Sequence, residues 1–242
     1  MNRSNRRRQE SRQAKTGSTS DSFAVHTLLD QGKRHHQAGQ MAEAERNYQL
    51  ALNMVPGHPE ALHLLGLLAY RVGSYEQAIE LITHAIEGTP SSPLYWFNLG
   101  VVTQRAGKAE EAIRAYERAI ALNPKYVDAL INLGNVLKDL HRLEAAVETY
   151  RKALILNPAH ADTHNNLGVA LKEQNALRDA IVAYREAIRL KPTHFEAWNN
   201  LGLALMETGA IDDALASFQQ ALTIVPDSSK TLYNLGIAAM WN

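Results

Sequence analysis

Apolar and small residues recur along this chain at two spacings at once. Over short stretches they fall three or four apart, as one face of an α-helix does: Leu130, Leu133, Gly134 and Leu137, or Trp198, Leu201, Gly202 and Leu205. Such a set then returns 34 residues further on, so that Leu133 and Gly134 become Leu167 and Gly168, then Leu201 and Gly202. A second stripe follows each first one, built of alanines around Tyr116, Tyr150, Tyr184 or Phe218. Pro56, Pro90, Pro124, Pro158, Pro192 and Pro226 close successive periods without exception. Each period therefore predicts two amphipathic helices, A and B, with proline ending B because it cannot continue the hydrogen-bond ladder. The expected class is all-α.

Counting each repeat as ending two residues after its proline gives repeats at 25–58, 59–92, 93–126, 127–160, 161–194 and 195–228, with a partial one at 229–242. The eighth position is always glycine: Gly32, Gly66, Gly100, Gly134, Gly168, Gly202 and Gly236. Glycine within a helix costs about 1 kcal/mol relative to alanine, so seven in register require a packing reason. The expected partners are the alanines at positions 20 and 27, such as Ala146 and Ala153, small residues facing small ones across the A–B contact. Position 15 supplies the turn between helices. It is Gly39, Gly73, Gly107 and Gly209, residues suited to the left-handed conformation after a helix end, with His141 and Asn175 as departures. Asparagine tolerates that conformation better than histidine.

The 34-residue period, the closing prolines and the fixed glycines and alanines resemble the tetratricopeptide repeat family. The resemblance runs from Val25 to the C-terminus; repeat 1 matches least, with Gln31 and His35 where apolar residues are usual, as suits an exposed cap. It implies a right-handed superhelical solenoid of six full repeats and one half repeat, with A helices lining a concave groove.

Within that frame one residue is set apart. The triplet Asn-Leu-Gly ends at Gly100, Gly134, Gly168, Gly202 and Gly236, and its asparagine stands at position 6. At about 100° per residue, positions 4, 7, 8 and 11 form the packing stripe and position 6 faces away from it. Asn98, Asn132, Asn166, Asn200 and Asn234 thus point toward the expected groove, joined by Asn165 and Asn199 at position 5 and Asn135 at position 9. A carboxamide donates and accepts, so a row of them can hydrogen-bond the backbone of an extended peptide whatever its side chains. The alternative is that duplication copied the asparagine without a binding role. Asp30 and Leu64 replace it in the first two repeats, which places the binding surface between Asn98 and Asn234. Lys138 and Lys172 at position 12 face Asp128, Asp162 and Glu196 at position 2, a mixture that favours no strongly charged ligand. The asparagine row resembles the superhelical arm of protein O-linked N-acetylglucosamine transferases. Another use in the family, a clamp on a chaperone's C-terminal carboxylate, needs a groove lysine at position 5, where this chain has Leu29, His63, Phe97, Ile131, Asn165, Asn199 and Tyr233.

Composition narrows the rest. Of 242 residues 45% are apolar and 21% charged, with 25 basic and 25 acidic side chains, which fits an ordered body without strong bias toward nucleic acid. Residues 1–22 are the exception, basic and nearly free of apolar residues, and are expected to be a disordered, solvated tail without a specific nucleic-acid role; the alternative is a contact with an anionic surface, nucleic acid or membrane lipid. They carry no apolar core of a secretory signal, and no run of about 18 apolar residues predicts a membrane span, so a cytoplasmic location is expected. There is no cysteine. His160 and His164 share a chelating spacing but lack a third ligand, and the acidic pair Glu110–Glu111 opens a helix B, so neither a metal, a cofactor nor a catalytic centre is expected.

The chain closes on Leu235, Gly236, Ile237, Ala238, Ala239, Met240 and Trp241, a helix A expecting its partner. Two readings follow. Either the chain is truncated and its repeats are the substrate-recognition arm of a larger glycosyltransferase-like enzyme, or the apolar end docks on itself or on another subunit of a non-catalytic scaffold that binds protein or peptide ligands.

Overall fold

The computed structural model describes residues 22–241, and its described residues form thirteen α-helices packed in sequential pairs. The basic stretch expected over residues 1–22 lies, but for Ser22, outside them. The chain divides into two compact units, up to Leu122 and from Asn123.

The first unit holds α1 (22–37), α2 (Met41–Met54), α3 (Pro59–Arg71), α4 (Tyr75–Gly88), α5 (Pro93–Arg105) and α6 (Ala109–Leu122). The second holds α7 (Val127–Asp139), α8 (Leu143–Leu156), α9 (Ala161–Glu173), α10 (Leu177–Leu190), α11 (Phe195–Glu207), α12 (Ile211–Ile224) and α13 (Ser229–Met240). Odd-numbered helices are the A helices of the repeats. Five of them start on a capping side chain two residues beyond a proline, whereas α7 starts after Tyr126 with no side-chain cap. In the first unit His58 and Ser92 accept from the backbone N–H of Ala61 and Tyr95; in the second His160, His194 and Ser228 accept from Thr163, Ala197 and Thr231. Such side-chain caps satisfy an N–H that the helix itself leaves open.

The cores of both units are built on one contact, and it differs from the expected one. In the six full repeats each helix A glycine faces the large side chain at position 24 of helix B rather than the alanines. In the second unit a Cβ on Gly134 would stand 2.6 Å from Tyr150 Cε1, and one on Gly168 or Gly202 would stand 2.5 Å from Tyr184 or Phe218. In the first unit Gly100 lies likewise under Tyr116, and Gly66 under Ile82. The rings are completely buried. Glycine is required because the ring occupies the volume a side chain would need. The alanines are buried beside it and allow the close approach. Gly236 in α13 meets nothing within 4 Å among the described residues.

The A–B turns are of one kind. Gly39, Gly73, Gly107 and Gly209 have φ of 77°, 81°, 77° and 79°, and His141 and Asn175 take the same region at 55° and 63°. The histidine thus accepts the conformation expected to suit it poorly. The residue after each turn donates to a carbonyl five back, Arg142 to Leu137 and Ala176 to Leu171, so the closing hydrogen bonds outweigh the backbone cost.

Candidate functional site

In the second unit the position-6 asparagines stand on the stacked faces of α7, α9, α11 and α13. They are not free-standing: three of the four tie one repeat to the one before it. Asn200 Nδ2 donates to Asn165 Oδ1 at 3.0 Å and Asn234 Nδ2 to Asn199 Oδ1 at 3.2 Å, both across 35 residues. Asn199 Oδ1 also accepts from Thr231 Oγ1 at 3.1 Å. Asn166 finds Ile131 at the corresponding place and turns to Asn135 Oδ1 instead, at 3.1 Å. That oxygen already accepts from Tyr150 Oη at 2.7 Å. Asn132 makes no side-chain hydrogen bond among the described residues.

Burial sorts these amides into two groups. Asn165, Asn199 and Asn234 are 8%, 4% and 9% exposed and act as fasteners between repeats. Asn132, Asn166 and Asn200 are half-buried; Asn166 and Asn200 spend one N–H on the fastening and keep Oδ1 and a second N–H. The lysines expected nearby are both paired: Lys138 Nζ lies 2.7 Å from Asp139 and Lys172 Nζ 2.7 Å from Glu207. Tyr184, in the repeat where Val169 stands at position 9, leaves its buried hydroxyl without a partner among the described residues. Burial raises the hydroxyls of Tyr150 and Tyr184 above the ordinary tyrosine range.

Among its described residues the first unit contains one such joint, and its acceptor is an imidazole. Asn98 Nδ2 meets His63 Nε2 at 2.7 Å, again across 35 residues. His63 is 4% exposed and stacks on Tyr95, with ring centroids 4.4 Å apart. Burial lowers its pKa to about 4, against the upward pull of Glu60, so near neutral pH Nε2 is free to accept the amide proton. Beside it Lys33 and Glu60 pair at 2.6 Å, and that bond raises the lysine's pKa. His63 and Thr231 escaped the sequence reading as partners of the asparagines. The signal was present: an acceptor at position 5 precedes Asn98, Asn200 and Asn234 by 35 residues each time.

The histidines of the expected chelating pair have other duties. His160 caps α9, and His164 Nε2 sits 2.9 Å from Pro158 O. Asp162 Oδ1 approaches His194 Nε2 to 3.1 Å without hydrogen-bond geometry. No three His, Asp or Glu side chains converge as a metal site among the described residues, and no described helix is long and apolar enough to cross a membrane.

Repeat models match three stretches of the chain. A tetratricopeptide repeat model covers residues 165–229, and a TPR repeat model covers 105–141 and 134–175. The model of anaphase-promoting complex, cyclosome, subunit 3 covers 37–119. No curated protein matches. Among solved structures, MamA is 25% identical, covers 71% of this chain and 94% of its own, and superposes with a TM-score of 0.65. YrrB, described as a TPR protein with an unusual peptide-binding site, is 22% identical over 77% of this chain and 96% of its own, with a TM-score of 0.67. PilF of Pseudomonas aeruginosa is 18% identical over 90% and 99%, with a TM-score of 0.76. The last two show the shared fold. With sequential helix pairs on a 34-residue period and tetratricopeptide models that together run from residue 105 to 229, more than half of its length, the chain is a tetratricopeptide repeat protein.

Proposed function

We propose that this chain is a protein-interaction scaffold without catalysis of its own, and that Asn132, Asn166 and Asn200 bind an extended peptide by its backbone. The observation that carries the reading is the fastening of Asn166 and Asn200 by one N–H each, at 3.1 and 3.0 Å. It fixes the rotamer, so the remaining oxygen and N–H are presented without further loss of side-chain freedom on binding. Consecutive A helices repeat the presentation along one face, which suits a ligand whose donors and acceptors also repeat. Recognition of backbone leaves ligand sequence open, as a scaffold for varied partners requires. Buried Asn165, Asn199 and Asn234 support this face from below.

The test is a peptide selected from a random library on the full chain. Replacing Asn132, Asn166 and Asn200 with alanine should weaken it by about tenfold or more, equivalent to about 1.4 kcal/mol, with helicity retained. N-methylating alternate amides of the peptide should do the same. Equal affinity for the triple variant removes the proposal. A second reading rests on the asparagine repeated at position 6: these repeats form the substrate-recognition arm of a larger O-linked N-acetylglucosamine transferase-like enzyme. A transferase domain encoded beyond Asn242 would support it, and a stop codon there would remove it.

A further inference from the structure

The repeat spanning 161–194, in the second unit, carries two unusual residues that line one groove. Position 4 is leucine or tryptophan in every other repeat; here it is His164. Position 22 is charged in the first four repeats, as Arg46, Glu80, Arg114 and Glu148; here it is Val182, 66% exposed. In the next repeat Trp198 Nε1 donates to Pro192 O at 2.9 Å. His164 makes the same contact with Pro158 O, also at 2.9 Å, from a much smaller ring. The volume an indole would fill is left open, and an open groove of about 670 Å³ lies there between α8 and α10.

Its apolar part is formed by Leu167 and Leu171 of α9 with Val182 and Ala183 of α10. Its charge is unbalanced. Arg151 from α8 and Arg185 from α10 line it with no ion pair among the described residues, whereas Glu186 is taken by Arg189 at 2.7 Å, leaving Asp179 as the one unpaired carboxylate. An apolar floor beneath two uncommitted guanidiniums suits carboxylates flanking a planar apolar side chain, since guanidinium forks match carboxylate geometry. None of these residues belongs to the asparagine face.

We infer that this groove binds an acidic peptide segment, which seats one aromatic side chain beside His164, where the sibling repeat has its own tryptophan, and sets its carboxylates on Arg151 and Arg185. The probe is the fluorescein-labelled peptide Glu-Asp-Glu-Trp-Glu-Asp-Glu, measured by anisotropy against the full chain at low salt. Binding is expected, and should fall about tenfold or more when the probe's tryptophan is alanine or its acids are lysine. Added salt should weaken it as well. His164→Trp fills the groove with a side chain that the sibling repeat already accommodates, so it should keep the melting temperature and lose binding about tenfold. Arg151→Glu with Arg185→Glu, both at exposed positions, should do likewise even if the tryptophan variant folds poorly. Alanine at Asn132, Asn166 and Asn200 should leave this probe unaffected, which separates the groove from the face proposed above. No binding of the acidic probe, equal binding by His164→Trp, or equal binding of the lysine probe overturns the inference. So does a dimer in light scattering that His164→Trp dissolves, which would give the groove to a second copy of the chain.

Discussion

The joint between α3 and α5 in the first unit and the joints between α9 and α11 and between α11 and α13 in the second solve one problem with different chemistry. In each, position 6 of a helix A donates an amide N–H to position 5 of the preceding helix A, 35 residues earlier. The first unit uses an imidazole as acceptor and the second uses carboxamides. The place therefore selects for a buried lone pair aimed at the next repeat, not for a residue type. What differs is the dependence on solution conditions. A carboxamide has no proton to gain, whereas His63 can lose its acceptor lone pair to a proton, and its stacking on Tyr95 makes the burial that resists this.

The largest difference should appear on acidification. His63 has a folded pKa of about 4, below the ordinary value of 6.5, so the unfolded chain takes up the proton first. The stability this contributes is present above pH 6.5 and drains away as pH falls through the folded pKa, below which both states are protonated. The loss from this group should be on the order of 3 kcal/mol. Urea titrations followed by the fluorescence of Trp96, which lies in the first unit, in a Trp198→Phe, Trp241→Phe background should register it, and His63→Asn should flatten the profile by making the joint carboxamide-like. A pH slope unchanged in that variant would break the comparison. Within the second unit, Asn199→Ala should cost about 2 kcal/mol, because it strands the buried amide of Asn234 and leaves the Thr231 hydroxyl only Ser228 as a partner; Asn165→Ala, which removes the acceptor of half-buried Asn200, should cost about 1 kcal/mol. Denaturation at neutral pH reads both, and equal losses would show that the joints are not graded by the donors they satisfy. The smallest effect concerns the tyrosine hydroxyls. Tyr150→Phe should cost about 1 kcal/mol by removing the bond to Asn135, while Tyr184→Phe, which deletes a hydroxyl with no partner, should be neutral or slightly stabilising. Paired thermal melts would decide it.

Much of the fold was legible because it repeats. The 34-residue period located every helix pair, and the prolines and turn glycines located their ends. Helical angle set the asparagines apart from the glycine stripe, but it did not show that Asn165, Asn199 and Asn234 would be buried in joints between repeats. What escaped was contact between elements. Angular reasoning on one helix shows which way Gly134 faces but not what lies over it, so alanine was favoured where the Tyr150 ring sits. Treating the repeat as the unit likewise concealed its joints, since the partner of Asn200 belongs to the repeat before. His141 shows a third limit: its preference against positive φ is real, yet the surrounding turn hydrogen bonds decide the outcome. The groove beside His164 needed both kinds of information, an odd residue in the sequence and the volume it leaves in space.

The 35-residue offset of the joints bears on how such an array changes length. Each joint is written half on one repeat and half on the next, so excision of a whole repeat pairs two halves that have never met. Excising residues 195–228 from the second unit would bring Asn234 and Thr231 onto Asn165, an acceptor of the kind they already use. Excising 161–194 would present Asn200 with Ile131 and Asn135, the neighbours that Asn166 now has. Either recombination reseals itself. Interchangeable seams let a gene gain or lose 34 codons in this region without exposing an unsatisfied amide.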